Sequence, residues 1–206
     1  MAKRHLATMD DAITIRLGVP EGQVEAATAL YCEAFREKLV PFLGPVERAA
    51  RFLAQGLVAE RAFVALDRGQ IVGLAGFKQA KKGLFEPSVG RFFQEYGWSA
   101  PLRLLGLALL ERGEEPDCLL MDGIAVAASA RGQGIGTRLL EAIEAHARAS
   151  GRRAIRLDVI DSNPGARRLY ERFGFEARET TDIGPFRLLF PFERTTEMRK
   201  VLTGEA

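Results

Sequence analysis

The run Arg131-Gly132-Gln133-Gly134-Ile135-Gly136-Thr137 constrains this chain more than any other stretch of its 206 residues. It stands between an apolar stretch at 119–126, which reads as a strand, and an amphipathic pattern at about 136–149 with Leu139, Leu140 and Ile143 on one face. Glycines at such a turn let backbone N–H groups approach a ligand with no Cβ in the way. The start of the following helix adds unpaired N–H groups and about half a positive charge, which suits a phosphate. Arg131 and Arg138 flank the turn, where they can add charge-assisted hydrogen bonds. Two familiar phosphate patterns fail here. Thr137 stands where G-x-G-x-x-G needs its third glycine, which disfavours a nucleotide-binding oxidoreductase, and no Gly-Lys-Ser/Thr follows the turn.

The rest of the chain alternates strand and helix patterns. Ile13-Thr14-Ile15-Arg16-Leu17 alternates as a strand does, and helical spacing follows over 23–40 and about 45–59. Apolar runs at 62–66 and 71–77 flank Asp67-Arg68-Gly69-Gln70, a hairpin turn. Residues 79–117 do not read as strand. Val89, Phe92, Phe93 and Tyr96 share one helix face, and Pro101 opens a second helix with Leu102, Leu105 and Leu109 along a face. These stripes read as packing faces, so 79–117 is expected to be a helical insertion. Downstream lie a strand at 154–160, a helix at about 164–172, and final strands at 175–180 and 195–201 with 184–192 between them. The expected product is one α/β domain of the α+β type over 13–202, after a loose tail at 1–12.

Composition narrows the chemistry. With 29 Lys and Arg against 27 Asp and Glu, the net charge of +2 argues against a dedicated nucleic-acid binder. Two histidines, His5 and His146, exclude a site built from three imidazoles. Cys32 and Cys118 are too far apart in sequence for a CxxC motif and read as reduced, buried small hydrophobes. No metal is expected. No apolar run reaches the ~18 residues of a membrane span, and no h-region follows Met1-Ala2-Lys3-Arg4-His5, so a cytoplasmic protein is expected.

The turn then acquires a context. Arg131, Gly134 and Gly136 fill the pattern Q/R-x-x-G-x-G/A, preceded by Ile124-Ala125-Val126 and followed by Asn163-x-x-Ala166-x-x-Leu169-Tyr170-x-x-x-Gly174-Phe175. In these two motifs the chain resembles the GNAT superfamily of acyl-CoA-dependent N-acyltransferases. The resemblance implies a mixed, splayed central sheet flanked by helices; the helical insertion at 79–117, between the third and fourth strands, departs from the short connection that many relatives have there. It implies acetyl-CoA as cosubstrate, with its pyrophosphate on the amides of Arg131, Gly132, Gln133, Gly134, Ile135, Gly136 and Thr137. The pantetheine would run beside Ile124, Ala125 and Val126, and Asn163 would bond near that arm. Asn163 also reads as an N-cap before Pro164.

An amine attacking a thioester must be neutral, and the departing thiolate needs a proton. The resemblance assigns that proton to Tyr170, which otherwise reads as a packing residue beside Leu169 and Phe173. Asp122, in the apolar strand before the expected cleft, is the candidate base. Glu86 and Glu95 on the insertion compete with it, and a water relay is an alternative to all three. His146 sits late in its helix, where a cation would favour the dipole. The expected function is transfer of an acetyl group from acetyl-CoA to a primary amine of a small molecule or peptide, without an acyl-enzyme. The alternative is a non-catalytic acyl-CoA sensor. The insertion is expected to cover the acceptor side of the cleft or to form a homodimer contact.

Overall fold

The computed structural model describes residues 13–79, 82–108, 113 and 115–202. The tail expected at 1–12 and Leu109 of the expected helix face lie outside the described residues. The elements run β1 (Ile13–Leu17), α1 (Val24–Ala34), α2 (Arg36–Leu43), α3 (Val46–Ala54), β2 (Ala62–Asp67), β3 (Gln70–Lys78), α4 (Val89–Tyr96) and α5 (Ala100–Ala108). They continue with β4 (Cys118–Val126), α6 (Ile135–Ala149), β5 (Ala154–Ile160), α7 (Pro164–Arg172), β6 (Glu176–Asp182) and β7 (Arg194–Val201). The strands form one mixed sheet in the order β1-β2-β3-β4-β5-β7-β6. Among the described residues only β4 and β5 pair in parallel, and α6 is the crossover between them.

Local chemistry explains the antiparallel half. Between β2 and β3 the chain turns at Arg68 and Gly69 with φ of +48° and +82°, the positive pair that a twisted hairpin needs. One side of the sheet packs on α6, whose apolar stripe Ile135, Leu139, Leu140, Ile143 and Ala147 meets Phe77, Leu119, Met121, Ile155 and Leu157. On the other side α1 packs over Val64, Leu74 and Leu84.

Two helices differ from the expectation. The pattern over 23–40 is split at Phe35, because that ring docks on Gly123 of β4 and the chain bends to place it. The helix expected to 59 stops at Ala54. There Glu86 N–H donates to the Gly56 carbonyl at 2.7 Å, and Val58 N–H to the Leu84 carbonyl at 2.9 Å. Gly56 admits this crossing, since a Cβ would stand 2.7 Å from Pro87 N.

The insertion is helical, as expected, and it builds a second core. Phe92 and Tyr96 of α4 and Ala100 of α5 pack with Cys32, Leu43, Ala49, Phe52 and Leu53 of α1–α3. Tyr96 donates its hydroxyl to the Leu43 carbonyl at 2.9 Å, and Arg103 reaches the Phe42 carbonyl at 2.6 Å. Both bonds satisfy carbonyls at the end of α2, which no further helical turn can reach. Contrary to the expected packing faces, Val89 and Phe93 of α4 and Leu102 and Leu105 of α5 point outward; Leu104 and Leu107 face the second core.

Candidate functional site

Parallel pairing between β4 and β5 is brief. It joins Cys118 to Ala154, Leu119 to Ile155 and Leu120 to Arg156 and ends there, although the strands continue to Val126 and Ile160. Beyond Leu120 the β5-facing edge of β4 is released from that partner, while its other edge stays paired with β3 through Val126. An opening in mid-sheet with strand backbone along one wall accepts an extended, amide-bearing chain by adding ladder hydrogen bonds. Ile124, Ala125 and Val126 form that wall.

The Gly-rich turn follows the same strand. Gly132 and Gly134 have φ of +79° and +74°, and a Cβ at either would meet nothing within 4 Å. Backbone conformation is what requires glycine at both, and the space above them is open. Gly134 is the N-cap of the 15-residue α6 and brings no side-chain cap. The first α6 N–H groups, from Ile135, Gly136 and Thr137, therefore remain for an anion. Gly136 serves the packing instead: a Cβ there would stand 2.9 Å from Leu169, so its smoothness seats α7 against α6. Arg131 and Arg138 are partly committed to the fold. Arg131 donates to the Val126 carbonyl at 3.2 Å, and Arg138 to the Ile13 carbonyl at 2.9 Å.

On the α1 side of the sheet the bulge makes a cleft. Gly76 pairs with Gly123 and Phe77 with Met121, so Asp122 is the extra residue between them. Met121 faces α6 before the bulge and Ile124 does so after it, which turns Asp122 toward α1 and the insertion. Asp122 lines a cleft of about 280 Å³ with Tyr31, Lys78 and the segment 83–87. Its Oδ2 accepts the Leu84 N–H at 2.9 Å, and Glu86 accepts the Gly83 N–H at 2.9 Å. The 82–87 strap thus orients one carboxylate and contributes another. Burial, reinforced by the Asp122 charge, pushes the Tyr31 phenol far above its ordinary range, so Tyr31 is a neutral donor.

Tyr170 is buried in the α6-side core against Phe175, at a ring separation of 5.8 Å. Burial pushes its pKa up to about 12, which keeps the phenol protonated. Tyr170 and Asp122 thus belong to opposite faces of the sheet. Asn163 caps α7, its Oδ1 accepting the Ala166 N–H at 3.0 Å; the amide nitrogen is not used by the cap. Ser162 donates to Glu37 of α2 at 2.6 Å, which ties the loop that carries Asn163 to that helix.

Other expected candidates lie elsewhere. Glu95 is engaged by Arg48 at 2.7 Å on the insertion surface. His146 packs against the rings of Phe63 and Phe77, and burial with the nearby Arg61 charge lowers its pKa. The neutral imidazole is favoured there, in place of the cation the dipole argument anticipated. Cys32 and Cys118 are free and buried; burial raises both thiols, Cys32 to about 12, so neither is a ready nucleophile. The strap and the bulge were not anticipated. A glycine after Asp122 inside an apolar strand is the signal that points to a bulge.

The sequence profile of the acetyltransferase (GNAT) family matches residues 25–175. No curated protein matches the chain. Among solved structures, yncA of Salmonella typhimurium, determined with its cofactor acetyl-CoA, is 18% identical over 95% of this chain and 97% of its own, with a TM-score of 0.61. An agmatine N-acetyltransferase in an apo form is 22% identical over 93% and 100%, with a TM-score of 0.60. A ribosomal-protein-alanine N-acetyltransferase from Brucella melitensis is 22% identical over 92% and 99%, with a TM-score of 0.59. At these identities the likeness is one of fold.

Proposed function

The chain belongs to the acetyltransferase (GNAT) family, matched over residues 25–175, and from that premise we propose that it acetylates a primary amine, using acetyl-CoA, by direct transfer. The observation that carries the reading is the parting of β4 from β5 beside an uncapped helix start. A pyrophosphate suits the N–H groups of the 131–137 turn, and the two amides of a pantetheine suit the edge of Ile124–Val126 as an added strand would. Asn163 supplies its amide nitrogen to the same arm. The bound thioester supplies an activated acetyl carbon; every other part of the reaction falls to the chain.

Asp122 takes a proton from the incoming ammonium, directly or through water, and the freed nitrogen lone pair attacks the acetyl carbon. A backbone N–H in the 124–126 stretch donates to the oxygen that gains negative charge. As the carbon–sulfur bond breaks, the Tyr170 hydroxyl gives its proton to the leaving sulfur. The nitrogen sheds its second proton to water as the amide forms, Asp122 releases the first, and the phenolate recovers one from solvent, so the net products are the amide, free CoA and one proton. No side chain becomes acylated, in keeping with two buried, raised-pKa thiols. The acceptor is a small molecule or a peptide, the two kinds named in the agmatine and ribosomal-protein relatives. No described helix is long and apolar enough to cross a membrane, and the proposed site of action is the cytoplasm.

The test is CoA release with acetyl-CoA and a broad amine panel, beside calorimetric acetyl-CoA binding. Turnover with at least one amine is expected. Tyr170→Phe and Asp122→Asn should each lower kcat by roughly 100-fold or more, with the acetyl-CoA Kd nearly unchanged. Tight binding without release across the panel would replace the enzyme with an acyl-CoA sensor.

A further inference from the structure

The side of α5 that faces solvent carries no charge. Going outward from the insertion, Trp98, Leu102 and Leu105 are 96%, 75% and 61% exposed, and the neighbouring exposed positions are Gly97, Pro101 and Ala108. A helix face in contact with water is normally its polar face. Here the helix is apolar on both sides: Ala100 and Gly106 are buried toward α2, and the opposite face is bare. Leu102 and Leu105 lie three residues apart on one face of α5, and Trp98 stands just before them in the tight 3-10 turn Gly97–Ser99.

We propose that this face of α5 is the contact of a two-fold homodimer, α5 of one protomer lying across α5 of its partner. A two-fold contact sets a surface against itself, so any charge on it would meet its own kind. An uncharged face avoids that cost. The three large side chains offer roughly 450 Å² per copy, more than half of the ~800 Å² that one partner contributes to a standard interface. Val89 and Phe93, exposed on α4, add further apolar area on the same insertion. A membrane surface is a poorer occupant. Interfacial helices set Lys and Arg beside their apolar face, whereas the one basic residue of α5, Arg103, turns inward to Phe42 and Ser99. The anchored side of α5 also gives this face a rigid base, through Arg103, Tyr96 and the Gly106–Phe42 contact.

Trp98 is the single tryptophan of the chain, so its emission reports this face directly. Sedimentation velocity and Trp emission are followed from about 1 to 100 µM, the range of a moderate interface. Expected are a species of twice 22.6 kDa and a blue shift that grows with it. Leu102→Glu/Leu105→Glu should stay monomeric with red emission and an unchanged far-UV spectrum. Ala108→Arg, a single change at an exposed site, should weaken association at least tenfold and serves if the double variant fails to fold. A wild-type monomer across the range overturns the proposal, as does a dimer that survives Ala108→Arg and the double variant. Blue emission that persists in a dilute monomer overturns it in favour of cover by the chain itself. Co-sedimentation of a monomer with phosphatidylglycerol vesicles overturns it in favour of lipid.

Discussion

At Gly123 two separate demands meet. Its φ is +138°, and a Cβ there would stand 2.3 Å from Phe35 Cζ. Gly123→Ala is expected to cost about 2–4 kcal/mol, from backbone strain together with displacement of the ring. The loss should appear in denaturant midpoints, and acetylation should fall with it because the bulge aims Asp122. Asn163 offers a cleaner separation of roles. Asn163→Asp keeps the oxygen that caps α7 but removes the amide donor, so Tm should hold while acetyl-CoA binding weakens. Asn163→Ala loses the cap as well and should cost about 1 kcal/mol. If both variants bind acetyl-CoA like the wild type, Asn163 is a cap alone. His146 predicts a pH effect. Its folded pKa lies below the ordinary 6.5, chiefly from burial, so the unfolded chain binds a proton more readily. That contribution to stability is complete above pH 6.5 and fades as the pH falls through the depressed folded value. His146→Leu should flatten this limb in urea titrations at successive pH values; an unchanged slope would remove His146 as its source.

At the scale of elements, the insertion and α2 hold one another. A Cβ on Gly106 would stand 2.0 Å from Phe42 Cε1, so Gly106→Val should cost roughly 2–3 kcal/mol and lower Tm. Leu84, fully buried at the head of the strap, should cost about 2–5 kcal/mol as Leu84→Ala. Because the Leu84 N–H holds Asp122, that variant should also lose kcat beyond what its remaining folded fraction explains. The strands and α4, α6 and α7 were legible because each is written in its own residues: a short apolar run, a face at helical spacing, or Asn163-Pro164 at a helix start. The break at Phe35 and the early stop at Ala54 were not. Both arise from residues far along the chain, Gly123 in one case and 84–86 in the other, which local periodicity does not contain.

Across the whole molecule, the insertion is part of the load on which the first helices rest. Cys32, Leu43 and Phe52 are buried against α4 and α5. Removing 84–112 should therefore yield insoluble or molten protein, detectable by dye binding and loss of a cooperative transition, before any change of acceptor is measured. Residues 131–172 hold nine Arg against five acidic residues, and several of these arginines are engaged within the fold. Arg156 pairs with Glu115 at 2.5 Å, Arg148 with Glu144 at 2.7 Å and Arg167 with Glu171 at 2.9 Å. Sequence alone determined the class of fold and the Gly-rich turn that opens α6, since glycine φ preferences, helix starts and hydrophobic period are local properties. The tertiary structure decided where β4 leaves β5, which way the bulge turns Asp122, which strap holds it, and which face of α5 remains bare. Those depend on contacts between residues tens of positions apart, made only when the helices and the sheet have packed.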